Sequence, residues 1–315
     1  MKEIFAGIDV GGTTTMAGLV DRNGRMLHRT VIQTEDYPVL DDFVEALKRM
    51  VETLLNEGDY TLKGIGIGAP NGNFNRGTIE MAPNLAWKGV VPLAQMVSER
   101  CGTPVRLTND ANAAAIGEMI FGGAKGMTDF VVLTLGTGLG SGIVVNGEVM
   151  NGTTGLAGEY GHVIMIPGGR NCGCGRQGCL ETYVSATGLV RTVLWLLSEM
   201  EDDSPLRNFY PSELTSKDVA DAAEKGDVIA LQAFDSTAET LAWAIVNIVS
   251  VHSPEAVFLF GGLANAGTLL FDPVNRYVDE MIQPVFRGSV KVLPSSIDEN
   301  NAAIIGSAAL AMKSI

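Results

Sequence analysis

One pattern occurs twice in this chain and limits its possible folds more than any other. An apolar strand, Ile4-Phe5-Ala6-Gly7-Ile8-Asp9-Val10, runs directly into Gly11-Gly12-Thr13-Thr14 and an apolar return strand. Later, Val131-Val132-Leu133-Thr134-Leu135 runs into Gly136-Thr137-Gly138-Leu139-Gly140 and comes back through Ser141 to Val145. A strand that doubles back through a Gly- and Thr-rich turn is the start of a sheet. Two such units predict a duplicated α/β chain with one copy per domain, although the copies share a plan rather than a formal repeat.

The stretches between the copies fit that expectation. Arg25 to Gln33 alternates like a third strand. Leu40 to Asn56 has helical spacing (Phe43, Leu47, Met50, Val51, Leu54), with the acidic pair Asp41-Asp42 at its start and Gly58 as its stop. Lys63 to Ala69 and Val105 to Thr108 read as short strands, the second followed by a helix from Ala111 to Phe121. Helical stretches dominate from Thr187 to Val251. Ala256 to Phe260 is a last strand running into Gly261-Gly262, and Asn301 to Met312 is an Ala-rich helix. A length of 315 residues suits two domains. They are expected at residues 1–118 plus 299–315, and at 119–298. No low-complexity linker separates them.

Charge narrows the partners. With 22 basic against 36 acidic residues the chain carries −14, a poor match for nucleic acid or an anionic membrane, both of which need clustered Lys and Arg. The N-terminus turns glycine-rich too early for a secretory signal. The longest apolar stretch, Leu241 to Val251, is interrupted by Asn247 and falls short of the roughly 20 residues a bilayer needs. The expected location is the cytosol.

The glycine turns suggest a ligand. Asp9 followed by Gly11, Gly12, Thr13 and Thr14 lets backbone N–H groups approach a phosphate, with Thr hydroxyls as further donors and Asp9 placed to hold Mg2+ through water. Thr137 and Gly138 offer a second such turn, and Gly261 and Gly262 a third. Any one of them is equally well a tight hairpin. Neither the Walker A nor the Rossmann spacing is present. Three strand-to-glycine turns in two similar halves point to a nucleotide.

Between a strand and a helix stand Asn109 and Asp110. Asp commonly serves there as a helix N-cap. The alternative is a general base that takes a proton from a sugar hydroxyl attacking a phosphoryl group, with Asn109 hydrogen-bonding the sugar.

Three of the four cysteines, Cys172, Cys174 and Cys179, crowd into a glycine-rich loop ten residues after His162. In a reducing compartment, one His and three Cys suggest a closed, structural zinc site; the plain alternative is three thiols in a loose loop and a core histidine. Cys101 stands apart as a small hydrophobe. Glu159 and Glu181 flank the cluster, and a Zn2+ ion would organise them as acceptors for sugar hydroxyls; solvated surface glutamates are the plain alternative.

Together these stretches resemble the ROK family (repressors, open reading frames, kinases). Asp9 to Thr14 is similar to its ATP-binding turn. Gly158-Glu159-Tyr160-Gly161-His162 and Cys172-Gly173-Cys174-Gly175-Arg176-Gln177-Gly178-Cys179-Leu180-Glu181 resemble its two signature stretches, and Asn109-Asp110 its sugar and base pair. The resemblance runs from Ile4 to the C-terminal helix. It implies an actin-like (ribonuclease H-like) duplicated α/β fold, with two domains around a central cleft. It also implies ATP with Mg2+, structural Zn2+, and transfer of phosphate to the 6-hydroxyl of a hexose. Glucose leads, with N-acetylglucosamine, N-acetylmannosamine or another hexose as alternatives. His162 would contact sugar as well as zinc, and Asp110 would be the base. Pro83-Asn84-Leu85-Ala86-Trp87 looks like the glucokinase form of the sugar loop, with Asn84 reaching the substrate. Asn71 departs from the family's usual Gly-Pro-Gly/Val stretch. A homodimer or homotetramer is expected. A non-catalytic sugar-sensing regulator is a further alternative; Asp9 and Asp110 stand against it, as does the lack of room before Asp9 for a DNA-binding domain.

Overall fold

The structure, a computed structural model, describes residues 1–314; Ile315, the last residue of the expected 299–315 segment, lies outside them. The chain divides into two compact units: Met1–Met127, Gly142–Gly158 and Ser295–Ile315 form the first, and Thr128–Ser141 with Glu159–Pro294 the second.

In chain order the first half supplies β1 (Lys2–Val10), β2 (Thr14–Asp21), β3 (Met26–Gln33), α1 (Leu40–Leu55), β4 (Tyr60–Gly68), β5 (Gly72–Asn73), β6 (Thr78–Glu80), β7 (Val90–Val91), α2 (Leu93–Cys101), β8 (Val105–Thr108) and α3 (Asp110–Phe121). The rest comprises β9 (Phe130–Leu135), β10 (Leu139–Val145), β11 (Glu148–Val149), α4 (Ala186–Glu199), α5 (Ser216–Ala223), α6 (Val228–His252), β12 (Ala256–Phe260), α7 (Thr268–Met281), β13 (Lys291–Pro294) and α8 (Glu299–Lys313).

The first sheet has the order β3-β2-β1-β4-β8. Strand β2 is antiparallel to β1 and β3, while β4 is parallel to β1 and β8. Strand β1 is central and covered on both faces, so Ile4 to Ile8 are fully buried rather than alternating. Ile4, Ala6 and Ile8 share a core cluster with Phe43, Leu47 and Leu54 of α1, whereas Phe5 packs with Ile304 and Ala308 of α8. The period-2 alternation of β1 thus feeds two different helical layers. Helix α8 lies almost on the sheet backbone: a β-carbon at Gly7 would collide with the Ile304 carbonyl, and one at Gly66 with that of Ser307.

The second sheet has the order β11-β10-β9-β12-β13. Strand β12 is parallel to β9 and β13, and β10 is antiparallel to β11. Numbered within each copy, both sheets read 3-2-1-4-5, which is the duplication expected from the two strand–turn–strand units. A small three-stranded sheet, β5-β6-β7, completes the first unit. Among the described residues no helix is long and apolar enough to cross a membrane.

Several elements had no sequence signal of their own. Helix α7 carries Pro273, which removes a backbone donor, yet it stays helical with Leu270, Val274 and Val278 buried. Helix α2 and strand β13 also lie in stretches whose sequence predicts nothing.

Candidate active site

The first unit supplies two carboxylates. Asp9 is the last residue but one of β1, opposite Met16 of β2 and Gly68 of β4. Among the described residues no hydrogen bond or salt bridge reaches its carboxylate. Burial first, then the negative charge of Asp110, push its pKa up to about 7. Asp110 opens α3. The cap of that helix is its neighbour Asn109, whose Oδ1 accepts the Asn112 N–H at 2.7 Å. Asp110 is therefore not needed as the N-cap. Its Oδ1 accepts the adjoining Ala111 N–H at 2.8 Å. Asp110 is exposed to solvent on one side while protein crowds around the other. That surrounding desolvates the carboxylate and raises its pKa, against the lowering effect of the Ala111 bond. A carboxylate with a raised pKa is a better proton acceptor near neutrality.

The Asp9 turn is a genuine hairpin. Gly11 N–H donates to the Thr14 carbonyl at 2.9 Å, so that N–H is spent inside the turn. Gly12 and Thr13, at its tip, remain free of strand pairing, and Thr13 is exposed. Gly12 also lies against the loop that carries Asn84: a β-carbon there would stand 2.9 Å from the Asn84 carbonyl. Asn84 itself is exposed. Its loop is anchored by buried Leu85, by Trp87, whose ring lies 4.3 Å from that of Phe43, and by Lys88 Nζ donating to the Leu85 carbonyl at 2.7 Å. Asn71 has a φ of 51°. Asn tolerates that left-handed conformation better than most residues, so the departure from the usual stretch fits the backbone.

The second unit holds the other two glycine turns side by side. Leu263 N–H, just after Gly261 and Gly262, donates to the Leu135 carbonyl at 3.1 Å, at the entrance of the Gly136–Gly140 turn. The Thr137 carbonyl accepts from Thr187 Oγ1 at 2.8 Å, and the Gly136 carbonyl from the Ala186 N–H at 2.9 Å, tying this turn to the start of α4. A β-carbon on Gly138 would lie 2.8 Å from Glu181 Oε2.

The same unit brings His162, Cys172, Cys174 and Cys179 together, with all four ligand atoms within 4.8 Å of one another. The Cys174 and Cys179 sulfurs are 3.7 Å apart, and Cys172 Sγ is 3.6 Å from His162 Nδ1. Tetrahedral zinc, with bonds of about 2.3 Å to sulfur and about 2.0 Å to nitrogen, separates its ligand atoms by roughly 3.4–3.8 Å. The donor set and the spacing therefore both fit that metal. The loop closes tightly, the Cys172 N–H donating to the Arg176 carbonyl at 2.9 Å and the Gly175 N–H to the Cys172 carbonyl at 3.1 Å. Burial raises the Cys174 pKa, but hydrogen bonds from Arg176 and the neighbouring thiols bring it down to about 6, which favours the thiolate a metal binds. Glu181 touches this knot: its Oε1 accepts from Cys172 Sγ at 3.0 Å and lies 3.6 Å from His162 Nδ1. Its Oε2 reaches the Leu139 N–H at 3.5 Å. Glu159 precedes the short helical turn Tyr160–His162 and is exposed, its carbonyl accepting the His162 N–H at 3.1 Å.

The first unit thus offers two carboxylates of raised pKa and a glycine turn with an exposed Thr; the second offers two more glycine turns and a His-Cys cluster that could hold a metal, beside Glu181. These are the parts that phosphoryl transfer to a polyol would use.

Comparison with known proteins agrees. Glucokinase from Thermotoga maritima is 36% identical over 308 residues, covering 96% of this chain and 96% of that protein. The structure of a ROK family glucokinase from Streptomyces griseus, in complex with glucose and AMPPNP, superposes with a TM-score of 0.82 at 32% identity, covering 98% of this chain and 99% of that one. A ROK family transcriptional regulator, a homolog of the E. coli MLC protein, superposes with a TM-score of 0.86 at 26% identity, covering 98% of this chain and 78% of the regulator. The fold is the actin-like one, with two α/β units. Residues 5–314 match the family model throughout, and the chain belongs to the ROK family.

Proposed function

We propose that this protein is an ATP-dependent hexose kinase that phosphorylates the 6-hydroxyl of glucose. The observation that carries the reading is Asp110. In a chain alike from end to end to a glucokinase, it stands at the start of α3, exposed to solvent, free of capping duty and with its pKa raised by the protein crowded around it. Asp110 accepts the proton of the 6-hydroxyl as that oxygen attacks the γ-phosphoryl group of ATP. Gly12, Thr13 and Thr14 in the first unit, and Thr137, Gly138, Gly261 and Gly262 in the second, bind the phosphates through N–H and hydroxyl donors; Gly11 shapes its turn instead.

Asp9 would hold Mg2+: a half-buried carboxylate beside a second one, with no cationic partner of its own, suits a divalent ion. Bound Mg2+ supplies neutralisation of phosphate charge. Asn84, Asn109, Glu159, His162 and Glu181 bind the sugar hydroxyls. His162, Cys172, Cys174 and Cys179 would hold Zn2+, which supplies a covalent-like cross-link of the loop. The functional domains are taken as 1–118 with 299–315, and 119–298. We place the protein in the cytosol, where free thiols persist, as a homodimer or homotetramer. The acidic net charge speaks against nucleic acid and anionic membrane partners.

Catalytic efficiencies for a panel of hexoses with ATP test this reading. Glucose is expected to lead; a higher value for N-acetylglucosamine, N-acetylmannosamine or another hexose would move the specificity. The likeness to a transcriptional regulator favours one second reading, a sugar sensor without catalysis. It predicts no sugar-dependent release of ADP.

A further inference from the structure

Three consecutive residues, Asn71-Gly72-Asn73, grip three separate segments of the first unit. Asn71 Nδ2 donates to the carbonyls of Glu80 at 3.0 Å and Met81 at 3.4 Å, where the loop carrying Asn84 begins. Gly72 is pressed onto the end of β8: a β-carbon there would collide with the Thr108 carbonyl and lie 2.9 Å from the Asn109 nitrogen, one residue before Asp110. Asn73 is fully buried. Its Nδ2 donates to Glu80 Oε1 at 3.0 Å and to the Thr154 carbonyl at 2.8 Å, while its Oδ1 accepts the Arg76 N–H at 3.3 Å. The neighbouring Gly155 has a φ of +81°, and a β-carbon on it would collide with Asn73 Oδ1. A second, exposed amide reinforces the grip, Asn75 Nδ2 donating to the Gly152 carbonyl at 3.2 Å. Residues 152–155 lead directly to Glu159.

We propose that Asn73 is a positioning residue for sugar binding. By holding the Thr154 carbonyl it fixes, within the first unit, the segment that precedes Glu159 in the chain against the segments of Asn84 and Asp110 that Asn71 and Gly72 grip. The inference rests on the reading of Glu159 as a sugar ligand. Only an amide serves here. The site needs two N–H donors toward oxygens and one acceptor toward an N–H. An Asp would set its carboxylate against that of Glu80 and against the Thr154 carbonyl. A Ser could supply only one donor.

Steady-state kinetics of the full chain with glucose and ATP, with thermal melts of each variant, test the proposal. Asn73→Ala is expected to raise the KM for glucose roughly tenfold or more, because the one amide that ties the Thr154 carbonyl to Glu80 Oε1 is lost, while Glu80 keeps only its own-segment donors Thr78 and Arg76. The KM for ATP and the kcat at saturating glucose should stay within about threefold. Asn75→Ala, which changes an exposed residue and leaves the core intact, should raise the KM for glucose about twofold. Gly155→Ala should resemble Asn73→Ala. The double variant should fall short of the product of the two single effects, because the clash with the Asn73 amide disappears. Three results would overturn the proposal. One is a normal glucose KM in Asn73→Ala while Glu159→Gln raises it. Another is a loss shared equally by glucose KM, ATP KM, kcat and melting temperature, which marks a merely structural residue. In the third, Glu159→Gln leaves the glucose KM unchanged, and the sugar-ligand reading falls together with the inference.

Discussion

The Asp9 turn and the Thr134 turn occupy equivalent places in the two sheets and do different work. Asp9 pairs with Gly68 of the parallel neighbour β4, and Thr134 pairs with Phe260 of the parallel neighbour β12. In the first unit the position holds a carboxylate without a partner among the described residues, near a second carboxylate. In the second it holds a hydroxyl that accepts the Gly140 N–H at 3.1 Å and closes its own turn. The duplicated backbone supplies two ways of presenting N–H groups, and one side chain in each decides the rest. On the proposed function, the first unit keeps charge for ion binding and proton transfer. The second invests in fixed geometry, with the His162–Cys179 knot as its largest piece.

That contrast can be broken in four places. Asp110→Asn should act most strongly, cutting kcat about a thousandfold while glucose binding, followed by calorimetry, stays measurable. Near-normal turnover would remove the base from the first unit. Asp9→Asn should lower kcat/KM for Mg-ATP about a hundredfold. It should also change stability in a direction set by linkage. The folded-state pKa of Asp9, about 7, lies above its ordinary value of 3.8. Its contribution is therefore most favourable below pH 4 and is lost as pH rises towards and through 7. Asp9→Asn should accordingly be more stable than the parent by about 1–2 kcal/mol in denaturant titrations at pH 8 without Mg-ATP, and by much less at pH 4.

Removing metal with a chelator, or making Cys174→Ser, should come next, raising the glucose KM about tenfold or more through Glu181. Metal analysis that finds no zinc in the purified protein would end this part of the contrast. Thr134→Val should do least, costing about 1 kcal/mol for the lost hydrogen bond, with an ATP KM raised only a few-fold. A loss as large as that of Asp9→Asn would mean the two turns share one task after all.

Much of this contrast is legible in the residue order because it rests on local rules. Strand runs followed by Gly-Thr turns mark both copies, and the spacing of Cys172, Cys174 and Cys179 after His162 marks the knot. The junction of β8 and α3 is equally clear, but which residue caps the helix is not. Asn109 and Asp110 are both good caps, and only the path of the chain decides that Asn109 takes the Asn112 N–H. The turn around Gly11 shows its glycines but not that one N–H is consumed by Thr14. The long-range role of Asn73 gives no local sign, because Thr154, unlike its near partners Arg76 and Glu80, lies far along the chain. Helix α7 is hidden by Pro273, whose missing donor is outweighed by the burial of Leu270 and Val274.

The seating of α8 on Gly7 and Gly66 bears on how the molecule is made. The first unit's sheet is covered on that face by a helix translated only after the whole of the second unit. At ribosomal speeds of about 5–20 residues per second, the nascent β1–β4 surface waits on the order of ten seconds or more for its cover. During that interval Phe5 and Val20 lack the Ile304 and Ala308 side chains that bury them. The second unit can fold before α8 is made; the first can only finish once α8 is available, and a chaperone that shields apolar strands has most to do there.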